Sequence, residues 1–233
     1  MLKLKNPIIV ALDVDDDSEA LRLGKELGPE TGALKVGPRL TNRYGAKLVR
    51  ELSQWAPIFL DHKYYDIPST MEGAIRSGFD MGASLITVHA SSGSTALSLM
   101  ARIEKELNQQ RPFQILAVTV LTSFKPEEQP SFYSAPIQDQ VVQLAKLASQ
   151  SGLRGFVCSP HEIQKIREVL PGVTLVTPGV RSGEAIEGED QARVMKVAQA
   201  MKLGSDYLVI GRPILQASDP RAALRMFVQE ATA

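Results

Sequence analysis

The sequence predicts a closed (β/α)8 barrel of the TIM class, built as a single domain over residues 1–233. Three observations predict it. Short continuous apolar runs, the mark of strands covered on both faces, recur along the chain. A helical pattern follows each run, with about 29 residues per unit, the size of a βαβ crossover. No Pro/Gly/Ser-rich linker interrupts the series. Neither G-x-G-x-x-G nor G-x-x-x-x-G-K-[ST] occurs, so the competing doubly wound sheet lacks its usual nucleotide loop.

The strand runs, in order, are Pro7–Asp13, Ala33–Val36, Ile58–Lys63, Leu85–His89, Gln114–Val120, Gly155–Cys158, Thr174–Thr177 and Tyr207–Ile210. Helical periodicity is clear in Asp17–Leu27, with Ala20, Leu21, Leu23 and Leu27 apolar, and in Ile137–Ser151, with Val141, Val142, Leu144, Ala145 and Ala148. Two connections exceed what a barrel needs, Leu121–Pro136 and the glycine-rich Pro178–Asp190. Long loops at that end of a barrel act as active-site lids, the second the more so because it carries Arg181.

Composition narrows the function. With 26 Lys+Arg against 26 Asp+Glu, there is no global field to hold nucleic acid or an anionic membrane, so any anion must meet a locally built positive site. The single Cys158 forms no intrachain disulfide, and His62, His89 and His161 have no zinc-ligand spacing. No apolar stretch approaches the ~20 residues of a membrane span, and the first run is too short for a signal segment. A cytoplasmic location is expected.

Catalytic groups of such barrels project from the C-terminal strand ends, and here those positions are charged. Asp13 ends strand one, Lys35 lies in strand two, Asp61 and Lys63 close strand three, Asp66 follows, and Thr122 comes after strand five. Buried charges must be paired, so this rim predicts mutually neutralising carboxylates and ammoniums. Asp61 and Lys63, two apart on a strand, leave the same face, which sends His62 outward toward the helices as a packed residue. His89 ends strand four facing the site. A phosphate site is expected where strand seven runs into Thr177–Arg181 and strand eight into Gly211-Arg212-Pro213, since those loops offer backbone N–H groups and cations.

The stretch Phe59-Leu-Asp61-His-Lys63-Tyr-Tyr-Asp66-Ile67-Pro68 resembles the D-x-K-x-x-D-I-P signature of the orotidine 5′-monophosphate decarboxylase family. Ile9–Asp13, Leu34–Gly37, Val118–Ser123, Thr177–Arg181 and Val209–Ile214 resemble that family in the same order, across essentially the whole chain. His62, Tyr64 and Tyr65 stand where bacterial relatives often have Leu, Phe and His. Related sugar-phosphate decarboxylases and aldol-type synthases carry a similar D-x-K element, but the resemblance gives them an acidic magnesium ligand where this chain has Lys35.

The resemblance implies conversion of orotidine monophosphate to uridine monophosphate without metal or organic cofactor, in a homodimer with shared sites. It assigns Lys35, Asp61 and Lys63 to one subunit, with Asp66, Ile67 and Thr70 reaching into the partner's site. Asp13 and Thr70 would hold the ribose hydroxyls, Thr122 would lie by the pyrimidine, and Arg181, Gln191, Gly211 and Arg212 would bind phosphate. Two other readings stand beside it. One is a barrel aldolase or sugar-phosphate lyase with a Schiff base on Lys63. The other is a non-catalytic nucleotide-phosphate binder that uses Gly211 and Arg212 alone.

Overall fold

The computed structural model describes residues 2–124, 129–131, 133, 135–181 and 195–233. Eight parallel strands close into a barrel: β1 (Ile8–Ala11), β2 (Ala33–Val36), β3 (Ile58–Tyr64), β4 (Ala83–His89), β5 (Gln114–Val118), β6 (Gly155–Val157), β7 (Thr174–Pro178) and a last strand, Tyr207–Ile210. The ring shuts where β1 lies beside that last strand, with Ile8, Ile9 and Val10 opposite Leu208, Val209 and Ile210. The expected TIM barrel is therefore the observed one. Among the described residues, no helix is long and apolar enough to cross a membrane.

Period-two alternation divides the apolar residues into two layers. Ile9, Ala11, Ala33, Phe59, Leu85, Leu116, Val118, Val157, Val176 and Val209 pack together inside the barrel. Their neighbours, including Ile8, Val10, Leu34, Ile58 and Leu60, pack outward against the helices. Helix α1 (Asp17–Leu27) shows the local logic of the outer layer. The Asp16 side chain caps it by accepting from the Glu19 N–H at 3.2 Å, and Ala20, Leu23 and Leu27 bury one stripe against the sheet. Helix α2 (Pro38–Leu52) starts with Pro38, whose missing N–H costs nothing in a first turn.

Strand ends differ from the apolar runs in the sequence. β1 stops at Ala11, so Asp13 stands two residues beyond it, and β5 stops at Val118. Pairing still continues a little past both ends, since the Leu12 N–H donates to the Lys35 carbonyl at 2.9 Å and the Thr119 N–H to the Val157 carbonyl at 3.3 Å. Of the two long connections, residues 125–128, 132, 134 and 182–194 lie outside the described residues, so the expected lid Pro178–Asp190 is described only through Arg181.

A half-buried acid with a shifted carboxyl sits away from the mouth. Glu104, on α4 (Gly93–Leu107), accepts the Ile115 N–H at the start of β5 at 2.5 Å. Burial pushes its carboxyl up to about 7, only partly opposed by that hydrogen bond. An acid raised in the folded state stabilises fully below its ordinary value near 4.5, and that contribution disappears as pH rises through 7. The difference corresponds to about 3 kcal/mol. Glu104→Gln keeps an acceptor for Ile115 and removes the titration. Urea unfolding of the variant should lack this loss between pH 4.5 and 7. Equal pH dependence in variant and parent would contradict the assignment.

Candidate active site

A cavity of about 550 Å³ opens at the C-terminal ends of the strands. Ala11, Phe59, Val118, Val157 and Val209, the top of the interior core, form its floor. Above them the lining includes Asp13, Lys35, Asp61 and Lys63 from the first three strands and their ends, and Pro178, Gly179, Arg181, Gly211 and Arg212 from the ends of the last two. Thr122 and Ser123 approach from the connection after β5. Asp13, Lys35, Asp61 and Lys63, expected to carry chemistry, thus share one cavity with Arg181, Gly211 and Arg212, expected to hold phosphate.

The charged residues from the first three strands form a continuous chain. Lys35 Nζ lies 2.9 Å from Asp13 Oδ1 and 3.9 Å from Asp61 Oδ2, and Lys63 Nζ lies 2.8 Å from Asp61 Oδ1. Asp61 is its centre. Burial alone would raise its carboxyl, but the ammoniums of Lys35 and Lys63, with hydrogen bonds from Lys63 and Thr87, outweigh burial and hold it below the ordinary value. The carboxylate is therefore charged and fixed between two cations.

The route by which Lys63 reaches Asp61 differs from simple strand alternation. Between the pairs Leu60–Ile86 and Tyr64–Val88, β3 advances four residues while β4 advances two. β3 is thus widened by two extra residues. Lys63 within this bulge has φ 50, the one positive-φ non-glycine residue among those described. Such a conformation costs an L-residue about 1–3 kcal/mol, so the surroundings must hold it. Thr87, wholly buried on β4, does so from inside: the Lys63 N–H donates to its Oγ1 at 2.8 Å, and its hydroxyl donates to Asp61 Oδ1 at 3.1 Å. Thr87 was not anticipated from the sequence. Its place two residues from both Leu85 and His89 puts it on the inward face, which was the available signal.

Arg39, at the start of α2, was also not anticipated. It lines the cavity, donates to the Asp13 carbonyl at 3.2 Å and sits 3.5 Å from the Asp15 carboxylate. Because that carboxylate also lies 3.7 Å from Arg43, the connection after β1 is held against α2.

Arg181 is buried, and its guanidinium donates to the Val180 carbonyl at 2.7 Å. Gly211 leads into the short helix α8 (Arg212–Leu215). A Cβ there would stand 3.4 Å from the Ala11 Cβ and 3.5 Å from Asp13 Oδ2, so glycine brings this backbone close to the first strand. Val180–Arg181 pairs in parallel with Met195–Lys196, which anchors both ends of the connection between them.

Several expected site residues lie elsewhere. Asp66, Ile67 and Thr70 are exposed and do not line this chain's own cavity, and Asp66 Oδ1 accepts the Ile67 N–H at 2.7 Å. Gln191 falls outside the described residues. His62 points outward as expected. His89 lies beside the Tyr65 ring, tilted at 59° with centroids 5.7 Å apart, and is 2.7 Å from the Ser91 hydroxyl, and it does not line the cavity.

Similarity to known proteins accords with this geometry. A sequence profile described as Orotidine 5'-phosphate decarboxylase / HUMPS family matches residues 6–227. An orotidine 5'-phosphate decarboxylase of Shewanella sediminis is 42% identical over 224 residues, 94% of each chain. One from Pseudomonas aeruginosa is 38% identical over 232 residues, 99% of each. The crystal structure of orotidine 5'-phosphate decarboxylase from Lactobacillus acidophilus aligns with a TM-score of 0.84 at 33% identity, covering 98% of this chain and 100% of that one. Barrel, charged rim and near full-length similarity agree, and the chain belongs to the Orotidine 5'-phosphate decarboxylase / HUMPS family.

Proposed function

We propose that this chain decarboxylates orotidine 5′-monophosphate to uridine 5′-monophosphate and CO2. The observation that carries the reading is the alternation Asp13–Lys35–Asp61–Lys63, with contacts of 2.9, 3.9 and 2.8 Å, in one cavity with Arg181 and Arg212. Within the family this favours the decarboxylase. Lys35 puts an ammonium between two carboxylates, the position at which a metal-dependent relative would need a further acidic ligand.

The chemistry follows from where charge develops. When the C6–carboxylate bond breaks, its electron pair stays on C6 in the ring plane, where the π system delocalises it poorly. A fixed ammonium beside C6 stabilises that pair in a site with little water, and Lys63 then transfers a proton from Nζ to C6. Asp61, next to the departing carboxylate, raises the energy of the bound substrate by like-charge repulsion. Lys35 keeps Asp61 in place, Asp13 takes a ribose hydroxyl, Thr122 lies by the pyrimidine, and Arg181, Gln191, Gly211 and Arg212 take the phosphate.

The same reading makes the enzyme a cytoplasmic homodimer in which Asp66, Ile67 and Thr70 complete the partner's cavity. Its support is the exposure of Tyr65 (66%) and Ile67 (64%) beside Asp66, apolar surface on a segment that serves no part of its own cavity. The lone, buried Cys158 fits a reducing compartment.

The test combines turnover in chelator with subunit mixing. The parent should convert orotidine monophosphate in the presence of chelator, and borohydride with substrate should leave Lys63 untrapped. Lys63→Ala and Asp66→Ala should each be inactive, whereas an equal mixture should recover about a quarter of parental activity, because half the dimers then hold one intact site of two. Covalent trapping at Lys63 would instead support the aldolase reading, and an inactive mixture would rule out shared sites.

A further inference from the structure

Lys63 is held from inside the barrel by Thr87, but a two-residue bulge also needs support outside. The residues flanking Lys63, His62 and Tyr64, both face outward and are both half-buried. Their rings meet edge to face with centroids 5.2 Å apart, and His62 Nδ1 lies 2.6 Å from the Tyr64 hydroxyl. His62 Nε2 lies 2.9 Å from Thr41 Oγ1 on α2, and the Thr41 hydroxyl donates to the Gly37 carbonyl at 3.3 Å. Gly37 follows Lys35 by two residues at the end of β2.

Proton bookkeeping gives this chain a direction. Thr41 has one proton, given to Gly37, so it accepts from His62 Nε2–H. Nδ1 is then the acceptor and Tyr64 donates to it. Burial lowers the imidazole below its usual range, with the nearby Lys63 charge adding to that and Asp61 opposing it, so the neutral ring this pattern requires is the favoured form. Burial likewise raises the Tyr64 phenol, which keeps its proton. Every polar group in the chain is thereby used once, from the outer face of β3 to the end of β2.

We propose that Thr41, His62 and Tyr64 form a positioning network for the proton donor: they clamp the bulge of β3 from the helix side and so hold the Lys63 ammonium against Asp61. None of the three lines the cavity, so they act through Lys63 and do not touch substrate. The inference rests on the role given to Lys63 above.

The test uses His62→Leu, Tyr64→Phe, their double variant and His62→Gln. Each single variant should lower kcat by about tenfold while KM and uridine monophosphate affinity stay within about twofold, because phosphate and ribose contacts are untouched. The double variant should lose little more than the worse single variant, since both break one chain. His62→Gln keeps a donor at the reach of Nε2 and should recover part of the loss. Parental kcat in both single variants, whatever their melting temperatures, would overturn the proposal. So would equal losses in kcat and nucleotide affinity. If His62→Leu fails to fold, Tyr64→Phe, which removes a single hydroxyl, carries the kinetic test. A crystal structure of Tyr64→Phe supplies a readout independent of catalysis. Lys63 should leave its positive φ or lose its contact with Asp61, and retention of both overturns the network. A parent without decarboxylase activity would sink the functional reading, and that structural comparison would still decide the clamp.

Discussion

Replacing Lys63 with alanine should abolish turnover while leaving uridine monophosphate affinity within a few-fold of the parent. In the proposed mechanism the ammonium is both the electrostatic partner of the developing C6 carbanion and its acid. General acid catalysis contributes about 10^2–10^4-fold and a fixed charge at the reacting atom about 10^2–10^3-fold, so kcat should fall by at least about 10^4-fold. Affinity should persist because Arg181 and Arg212 line the cavity from the ends of other strands and are unaffected. Single-turnover kinetics with calorimetric titration of uridine monophosphate separates the two effects. Turnover within tenfold of the parent would eliminate Lys63 as the acid. The substitution also leaves burial of Asp61 opposed only by Lys35, at 3.9 Å, and the Thr87 hydrogen bond, so its carboxyl should titrate higher than in the parent.

Arg212→Ala should lower kcat/KM by about 10^2–10^4-fold, although the guanidinium touches nothing that reacts. Enhancements at the upper end for enzymes, about 10^17-fold, need roughly 23 kcal/mol of barrier reduction, more than one lysine can supply. Phosphate held, as proposed, at Gly211 and Arg212 would provide binding energy remote from C6. That energy can order the charged rim and hold the ring beside Lys63. A near-parental kcat/KM would refute this account. A substrate lacking the phosphate should lose rate in the parent and be nearly indifferent to the substitution.

Much of this site was readable from residue order because a parallel barrel converts order into place. Once each apolar run is a strand, its C-terminal neighbours must meet at one mouth, and Asp13, Lys35, Asp61, Arg181, Gly211 and Arg212 do so. What escaped prediction depends on pairing between strands. The bulge in β3 exists through its register against β4, a relation that no period within β3 records. Two-residue spacing placed Asp61 and Lys63 on one face, but the 2.8 Å contact depends on the positive φ at 63 and on Thr87 from the neighbouring strand. Arg39 was hidden for a similar reason, since its contacts join the start of α2 to the loop after β1. The roles proposed for Asp66, Ile67 and Thr70 need a second subunit, and in this chain the three are exposed surface.

Closure of the ring between Ile8–Val10 and Leu208–Ile210 has a consequence for synthesis in the cell. Asp13, Lys35, Asp61 and Lys63 fall within the first 63 positions, and Arg181, Gly211 and Arg212 follow position 180, so a nascent chain carries the proposed proton donor long before the proposed phosphate site. On the proposed function, a growing polypeptide should therefore stay inert toward nucleotides until the strand Tyr207–Ile210 has docked beside the first.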